Sequence, residues 1–181
     1  MLAVKPFSRD VWWAENIPIM GIVLFLVITY RWFRFSNISY IMMSVLVFLH
    51  TLGGHYTFEL VPFDFITNLF GFTRNHFDRL AHFSVGFYAY PILEFLYRKK
   101  LIRSRTVLAL FGAFTILAVA AIYEIFEWLY AVSSNPEAGA AFLGSQGDVW
   151  DAQKDMLADG LGSITAVLLF LFANRNRPDR L

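Results

Sequence analysis

Three segments of the sequence carry ionisable side chains at the spacing of a helical turn. In the first, Asp78 and His82 are four residues apart, so both side chains lie on one helical face. In the second, Glu124 and Glu127 are three residues apart and also share a face. The third carries acids at spacings of three, four and four, which make one acidic stripe if the segment is helical: Asp148, Asp151, Asp155 and Asp159.

Carboxylates and imidazoles that meet inside a helical bundle are typical of a metal site. Bundle metal sites are built from Glu, Asp and His side chains that project inward from facing helices. Like charges cannot all stay ionised at close range without a compensating cation, which Arg79, protons or a metal would supply. Mixed His and carboxylate donors suit Zn, Mn or Fe, whereas all-oxygen subsets suit Mg or Ca. The predicted ligands of a divalent metal are Asp78, His82, Glu124, Glu127 and Asp155.

Three residues in the same segments have side chains suited to catalysis. Asp151 or His76 would act as a general base, and Arg79 would hold an anionic group. Structural roles compete with this interpretation. Asp148 and Asp151 would also serve as solvated residues that cap a helix, and Asp78 would pair with Arg79 or His82 to tie helices together. The sequence leaves these alternatives open.

The composition indicates that a membrane-embedded helical bundle positions these side chains. Of the 181 residues, 57% are hydrophobic and only 16% are charged, and the mean hydropathy is +0.53. A soluble domain carries about 25% charged residues. The low net charge of +1 and the absence of Cys exclude a disordered chain, a nucleic-acid-binding arm and a disulfide-stapled secreted fold. We therefore expect one all-α integral membrane domain over residues 1–181.

Five stretches have the length and apolar character of transmembrane helices, which need about 20 residues. The predicted spans cover residues 11–30, 38–54, 78–97, 106–132 and 151–173. Residues 61–72 are too short and too polar to cross. Their apolar residues recur at helical spacing, so this segment is either a helix in the membrane interface or an apolar loop over the bundle.

Basic residues concentrate at alternate ends of the predicted spans. Residues 31–34, 98–105 and 175–180 hold ten of the 15 Lys and Arg side chains. Because Lys and Arg favour short cytoplasmic loops, the pattern predicts an outward N-terminus, a cytoplasmic C-terminus and an acidic site that faces outward. Glu94, a rare acid on the basic side, is expected to pair with Arg98 one turn further on.

Four motifs give the chain a family resemblance. They are HTLGGHYTFELVPF at 50–63, RNHFDRLAHFSVGF at 74–87, YEIFEW at 123–128 and FLGSQGDVWDAQKDMLADGLG at 142–162. With these motifs the chain resembles the YjdF-like bacterial inner-membrane proteins, which carry a domain of unknown function. The resemblance implies a multi-pass protein of the cytoplasmic membrane and supplies no activity. The order of the charged motifs is also similar, more weakly, to that of VanZ-like proteins of the cell envelope.

Three functions compatible with this pattern belong to different classes. The first is a metal site that acts on an envelope or lipid-linked substrate, with the lipid bilayer as its surroundings. The second is a proton- or cation-coupled transporter that uses the same acids, although residues 83–93 and 161–173 offer few polar groups for a path across the membrane. The third is a non-catalytic membrane scaffold. The pattern does not indicate a nucleic-acid partner, and it does not specify an oligomeric state.

Overall fold

The protein is a bundle of α-helices. The computed structural model describes residues 2–175, and this part of the chain forms eight α-helices without a strand. Helices α1 (Arg9–Thr29), α2 (Asn37–Tyr56), α6 (Arg105–Ser133) and α8 (Asp151–Ala173) are long and apolar enough to cross a membrane. They coincide with four of the five predicted spans, and the prediction of an all-α transmembrane bundle is confirmed.

The starts of four helices are set by polar side chains. In each case the side chain before the first turn accepts a hydrogen bond from a backbone N–H that has no partner within the helix. These capping residues are Ser8, Ser36, Ser104 and Asn135. Asn135 is followed by Pro136, whose fixed backbone angle and missing N–H suit the first helical position.

The predicted span 78–97 is helical but not one continuous α-helix, which corrects the sequence interpretation. It consists of α4 (Phe77–Val85), a tighter 3₁₀ turn at Gly86–Tyr88 and α5 (Ala89–Arg98). Pro91 has no N–H to donate to the carbonyl of Phe87, so the regular α-helical ladder cannot run through this point. The turn thus separates the polar half of this span from its apolar half.

Backbone contact between two glycines explains how closely this interrupted span approaches α8. A Cβ atom added at Gly162 would lie 1.9 Å from the carbonyl oxygen of Phe83, and one added at Gly86 would lie 2.3 Å from the backbone nitrogen of Ser163. Only residues without a side chain allow helices to cross at this distance. The crossing determines which turns of α4 and α8 face each other.

Two short helices lie outside the spans. Helix α3 (Asp64–Phe70) falls within residues 61–72, where the sequence left a helix and a loop open, and it has no buried residue. Helix α7 (Pro136–Leu143) was not predicted. Its Gly139 fits against the backbone of Ala131 on α6, and its Phe142 is buried beside Phe126 and Tyr130.

The charges separate onto two ends of the bundle, as the sequence predicts. At one end, here called the basic end, Arg98 donates to the carbonyl of Arg34 (2.6 Å) and to Glu94 (2.7 Å), which confirms the predicted Glu94–Arg98 pair. Arg177 and Arg180, which belong to the predicted basic cluster, lie outside the described residues. The opposite end, here called the acidic end, contains the starts of α4 and α8 and the end of α6. Which end faces the cytoplasm stays a prediction.

Candidate functional site

Facing surfaces of α4 and α8 form the centre of the acidic end. Asp78 and His82 lie on successive turns of α4, and Asp155 and Asp159 on successive turns of α8, all four being buried. Because the glycine crossing holds the two helices at backbone contact, each pair of side chains meets the other directly. The helical periodicity that grouped these residues in the sequence is therefore confirmed.

Asp78, His82 and Asp155 form a compact group of three possible metal ligands. One ligand atom from each lies within 4.8 Å of the others. His82 Nε2 is 3.6 Å from Asp78 Oδ1 and 3.7 Å from Asp155 Oδ1, which is too long for a hydrogen bond. Two ligand atoms at about 2.1 Å from a tetrahedral metal are about 3.4 Å apart, close to these distances. The donor set and its spacing fit a divalent cation.

Asp159 fixes the orientation of the His82 ring. The Oδ2 atom of Asp159 lies 3.2 Å from His82 Nδ1, on the side of the imidazole opposite to Asp78 and Asp155. A carboxylate that accepts the second ring N–H is the usual support of a metal-binding histidine, because it sets the tautomer and makes the other nitrogen a better donor to the metal. Asp159 Oδ1 is buried and has no hydrogen-bond partner.

Arg79 is the cation nearest to this group. Its guanidinium donates to Asp155 and Asp151 and lies 3.5 Å from Asp78. Arg74 lies on the other side of Asp151 and donates to it at 3.0 Å. Asp151 is thus held between two arginines, and the side chain that the sequence suggested as a solvated cap or a general base is buried in an ion pair.

The loop before α8 docks on the loop before α4 through a ring of polar contacts. Arg74 donates to Asp148 (3.3 Å) and to the carbonyl of Ser145 (3.0 Å), while Asn75 and Gln146 exchange two hydrogen bonds. The hydrogen bond from Lys154 and that from the backbone N–H of Trp150 lower the pKa of Asp148. Asp148 therefore orders this loop instead of capping the helix, which begins at Asp151.

His76 lies at the start of α4, next to Phe72, with ring centroids 4.7 Å apart. Partial burial lowers the pKa of His76, and the positive charges of Arg74 and Arg79 lower it further. The lowered pKa favours a neutral imidazole near pH 7, which is the form that accepts a proton.

The network as a whole carries an excess of negative charge. Its cationic members are Arg74, Arg79 and Lys154. Its carboxylates are Asp78, Asp148, Asp151, Asp155 and Asp159. With all five carboxylates ionised and His82 neutral, the formal difference is two negative charges, which a divalent cation or protons would offset.

Glu124 and Glu127 are not part of the group of three ligands. Both lie on α6, as does Tyr123, whose ring centroid is 6.5 Å from that of His82. Glu124 Oε1 is buried and without a hydrogen-bond partner, and Glu127 lines the adjacent cavity. The structure therefore brings together three of the five predicted ligands, whereas Glu127 lies in the wall of the adjacent cavity and Glu124 does not line it.

A second buried polar group was missed by the sequence interpretation. Glu15 on α1 is 1% exposed, accepts a hydrogen bond from Tyr123 on α6 (3.2 Å) and lies 3.6 Å from His50 on α2. His50 Nδ1 is buried without a hydrogen-bond partner. Gly54 allows α1 to approach, because a Cβ there would lie 3.0 Å from Glu15 Cβ. An acid within a span, beside a Gly-Gly pair on the next span, was the available signal.

A cavity of about 270 Å³ connects the two polar groups. Its polar wall contains Asp78, His82 and Asp159 of the first group, His50 of the second, and Glu127. The rest of its wall is apolar and is contributed by α1, α2, α4, α5, α6 and α7. A ligand in this cavity would touch the candidate metal site while most of it contacts hydrocarbon side chains.

Comparisons with known proteins agree with the membrane architecture. A family profile described as "Predicted membrane protein (DUF2238)" matches residues 1–176. Over 171 residues the chain is 36% identical to "Inner membrane protein YjdF" of Escherichia coli (strain K12), which covers 91% of this chain and 79% of that protein. No solved structure matches the chain. Neither description names an activity.

Proposed function

Because the chain belongs to the DUF2238 family of membrane proteins and is a multi-pass inner-membrane protein, we propose that its acidic end binds a divalent metal ion and acts on a lipid-linked or envelope substrate. The proposed ligands are Asp78, His82 and Asp155. Zn, Mn or Fe suits one imidazole and two carboxylates, and Mg would rely on the oxygens alone.

The orientation of His82 is the observation that carries the proposal. Asp159 holds Nδ1 at 3.2 Å, and Nε2 is left facing one oxygen of Asp78 and one of Asp155. An ion pair that only ties α4 to α8 would not require both ring nitrogens to meet carboxylates. The two excess negative charges of the network add independent support, since buried anions need a compensating cation.

The surrounding residues have distinct proposed roles. A bound divalent metal polarises a phosphoryl or carbonyl oxygen and acidifies a bound water. Arg79, on the edge of the group, would hold an anionic part of the substrate. His76 is favoured over Asp151 as the general base, because Asp151 accepts hydrogen bonds from two arginines whereas the lowered pKa of His76 keeps its imidazole neutral.

The side of the membrane follows from the charge distribution. The basic end holds Arg31, Arg34 and the residues between 98 and 105, which favour the cytoplasm. We infer that the acidic end faces outward, where lipid-linked precursors of the envelope are accessible. Cysteine accessibility labelling of Ser145→Cys at the acidic end and Ser104→Cys at the basic end, in intact cells of a chain that has no native Cys, tests this orientation.

Metal analysis of the purified protein tests the proposed site. We expect about one Zn, Mn, Fe or Mg per chain by mass spectrometry, and a loss of at least ten-fold in occupancy for Asp155→Asn and for His82→Gln. Glu137→Gln is the matched control, because Glu137 is an exposed acid on α7 outside the network. If the unmodified protein holds no stoichiometric metal, even after incubation with each of these ions, the proposal is wrong. Arg79 is then the cation of the cluster.

The contribution of Glu124 and Glu127 is tested separately. If either carboxylate enters the coordination shell on binding, the Glu→Gln variant lowers metal affinity as strongly as Asp155→Asn. We expect a smaller effect for both, since neither belongs to the group of three in the structure.

A further inference from the structure

The cavity beside the candidate metal site is long as well as narrow. On α6 it is lined from Glu127 to Ile116, which are eleven residues apart, or about 16 Å along the helix axis. Its volume of about 270 Å³ is at the lower end of the range for small-molecule pockets. An elongated space of this volume suits a single chain better than a compact head group.

The polarity of the cavity changes along its length. At the acidic end its wall carries Asp78, His82 and Glu127, whereas towards the basic end it is formed by Ile22, Ile92 and Ile116. Tyr88 also lines the apolar part, but its hydroxyl donates to the carbonyl of Met43 and is therefore occupied. The cavity has the polarity of an amphiphile, with the head at the metal site and the tail in the middle of the bundle.

Residues of α1 and α6 that line the cavity are also exposed. Helix α1 packs mainly against α2, and α6 packs against α8, α7 and α5, so that α1 and α6 face each other across the cavity. Pro18 on α1 and Val119 on α6 line the cavity and are also exposed on the lipid-facing surface, Val119 by 47%. The hydrogen bond from Tyr123 to Glu15 joins the two helices at the acidic end, above this gap.

We propose that a hydrocarbon chain of a membrane phospholipid enters sideways between α1 and α6 and occupies this cavity, which places the lipid head group beside Asp78 and His82. The inference rests on the proposed function only for the contact between the phosphate and the metal; insertion of the chain does not depend on the metal. A water-soluble ligand is disfavoured because the gap opens at residues that face hydrocarbon and not solvent.

Photo-crosslinking in vesicles tests the proposal. The full-length protein is reconstituted into phosphatidylethanolamine and phosphatidylglycerol (about 3:1) containing a phosphatidylglycerol with a mid-chain diazirine, illuminated, and mapped by mass spectrometry. We expect adducts on Leu46 and Ile116, which line the cavity and are only 5% and 2% exposed, in addition to the outer helix faces. Adducts confined to exposed residues in the unmodified protein would overturn the proposal.

Tryptophan variants test the route by which the hydrocarbon chain enters the cavity. Val119→Trp fills the gap and should reduce the labelling of Leu46 and Ile116 at least five-fold, whereas Ile122→Trp should leave it unchanged, because Ile122 is 67% exposed on the same helix and does not line the cavity. Thermal unfolding shows whether Val119→Trp is folded. If it is not, Ile22→Trp fills the same gap from α1. Undiminished labelling in a folded blocked variant would contradict entry between these helices.

The same samples separate this proposal from the metal site. Labelling of Leu46 and Ile116 should persist after treatment with EDTA, within two-fold of the untreated protein. If the untreated protein contains no metal but is labelled inside the cavity, this result contradicts the proposed function alone. Protein that binds one metal but is labelled only on its outer faces contradicts the lipid proposal alone.

Discussion

Buried carboxylates at the two ends of the bundle differ in how completely their oxygens are bonded. At the basic end, Glu94 accepts hydrogen bonds from the backbone N–H and hydroxyl of Ser36 (2.9 Å each), the hydroxyl of Ser39 (2.5 Å) and the Arg98 guanidinium (2.7 Å). At the acidic end, Asp159 Oδ1 has no hydrogen-bond partner, and Asp78 and Asp155 face His82 Nε2 across gaps of 3.6 and 3.7 Å.

This difference distinguishes a carboxylate that has a structural role from carboxylates that form a binding site. Glu94 caps the N-terminus of α2 from a neighbouring helix, and its donors satisfy it, so it needs no ligand. At the acidic end the buried Asp159 Oδ1 has no donor, and the carboxylates of the network outnumber its cations. Removing Glu94 should therefore weaken the fold, whereas removing an acid of the metal group should weaken binding.

The largest effect is expected at the glycine crossing on which the acidic end depends. Gly162→Ala places a Cβ within 1.9 Å of the Phe83 carbonyl oxygen, so α4 and α8 must separate, at a cost of about 3 kcal/mol or more. Unfolding by SDS in mixed micelles measures this loss. Gly21→Ala is the control, since a Cβ at Gly21 meets nothing within 4 Å. Equal stability of the two variants would show that the helices are not held at backbone contact.

Glu94→Ala should destabilise the protein without changing metal binding. The Ser36 N–H and the Ser39 hydroxyl lose their acceptor, which costs about 2–3 kcal/mol, and the partly exposed Arg98 adds little. The same SDS titration reports the stability, and mass spectrometry reports the metal content. If Glu94→Ala has normal stability but reduced metal content, the structural role assigned to the basic end and the binding role assigned to the acidic end are reversed.

Asp159→Asn should have the opposite effect to Glu94→Ala, because it should weaken metal binding more than it weakens the fold. The His82 ring loses its charged acceptor at Nδ1, and losses of this kind lower metal affinity by about 10–100-fold. Stability should change by less than in Glu94→Ala, because the network loses a negative charge that is in excess. Competition with a fluorescent chelator measures the affinity. An unchanged affinity would mean that Asp159 does not act through His82.

The smallest effect concerns the docked loop at the edge of the acidic end. Lys154→Ala should raise the pKa of Asp148 towards its ordinary value, because the hydrogen bond that lowers this pKa is removed. A carboxyl whose native pKa is depressed stabilises the fold above its unfolded pKa, and this contribution is lost as the pH falls through the native pKa. In Lys154→Ala this contribution should therefore be smaller, and its loss should be complete at a higher pH.

Carbon-13 NMR titration of Asp148 measures this shift. Lys99→Ala, which removes an exposed lysine at the basic end, is the matched control and should leave the titration unchanged. Identical titration curves for the unmodified protein and Lys154→Ala would contradict the role assigned to this pair.

Much of this architecture could be predicted because its signals are local. Hydropathy identified the spans of α1, α2, α6 and α8, and helical spacing placed Asp78 beside His82 and Asp155 beside Asp159. Both signals depend on residues within about two turns of each other. The sequence could therefore tell which residues share a face, and the distribution of Lys and Arg predicted that the acidic helix ends lie on one side of the membrane.

Properties that depend on distant packing escaped prediction. The signal for Glu15 was spread over two spans, because its burial follows from Gly54 on α2 and Tyr123 on α6. Glu124 and Glu127 share a face as predicted, but the rotation of α6 relative to α8 sets their distance from His82, and periodicity within one helix does not determine that rotation. The close approach of Gly86 to Gly162 likewise joins residues that are far apart in the sequence.

The position of the glycine crossing has a consequence for membranes of different thickness. Helices adjust to a thinner or thicker bilayer by changing their tilt. His82 lies four residues from Gly86, and Asp159 lies three residues from Gly162. A 10° change in tilt that pivots at this contact moves a group one turn away by about 1 Å, but moves a helix end about 15 Å away by about 2.6 Å. The contact between His82 and Asp159 is thereby insulated from mechanical deformation that the rest of the bundle absorbs.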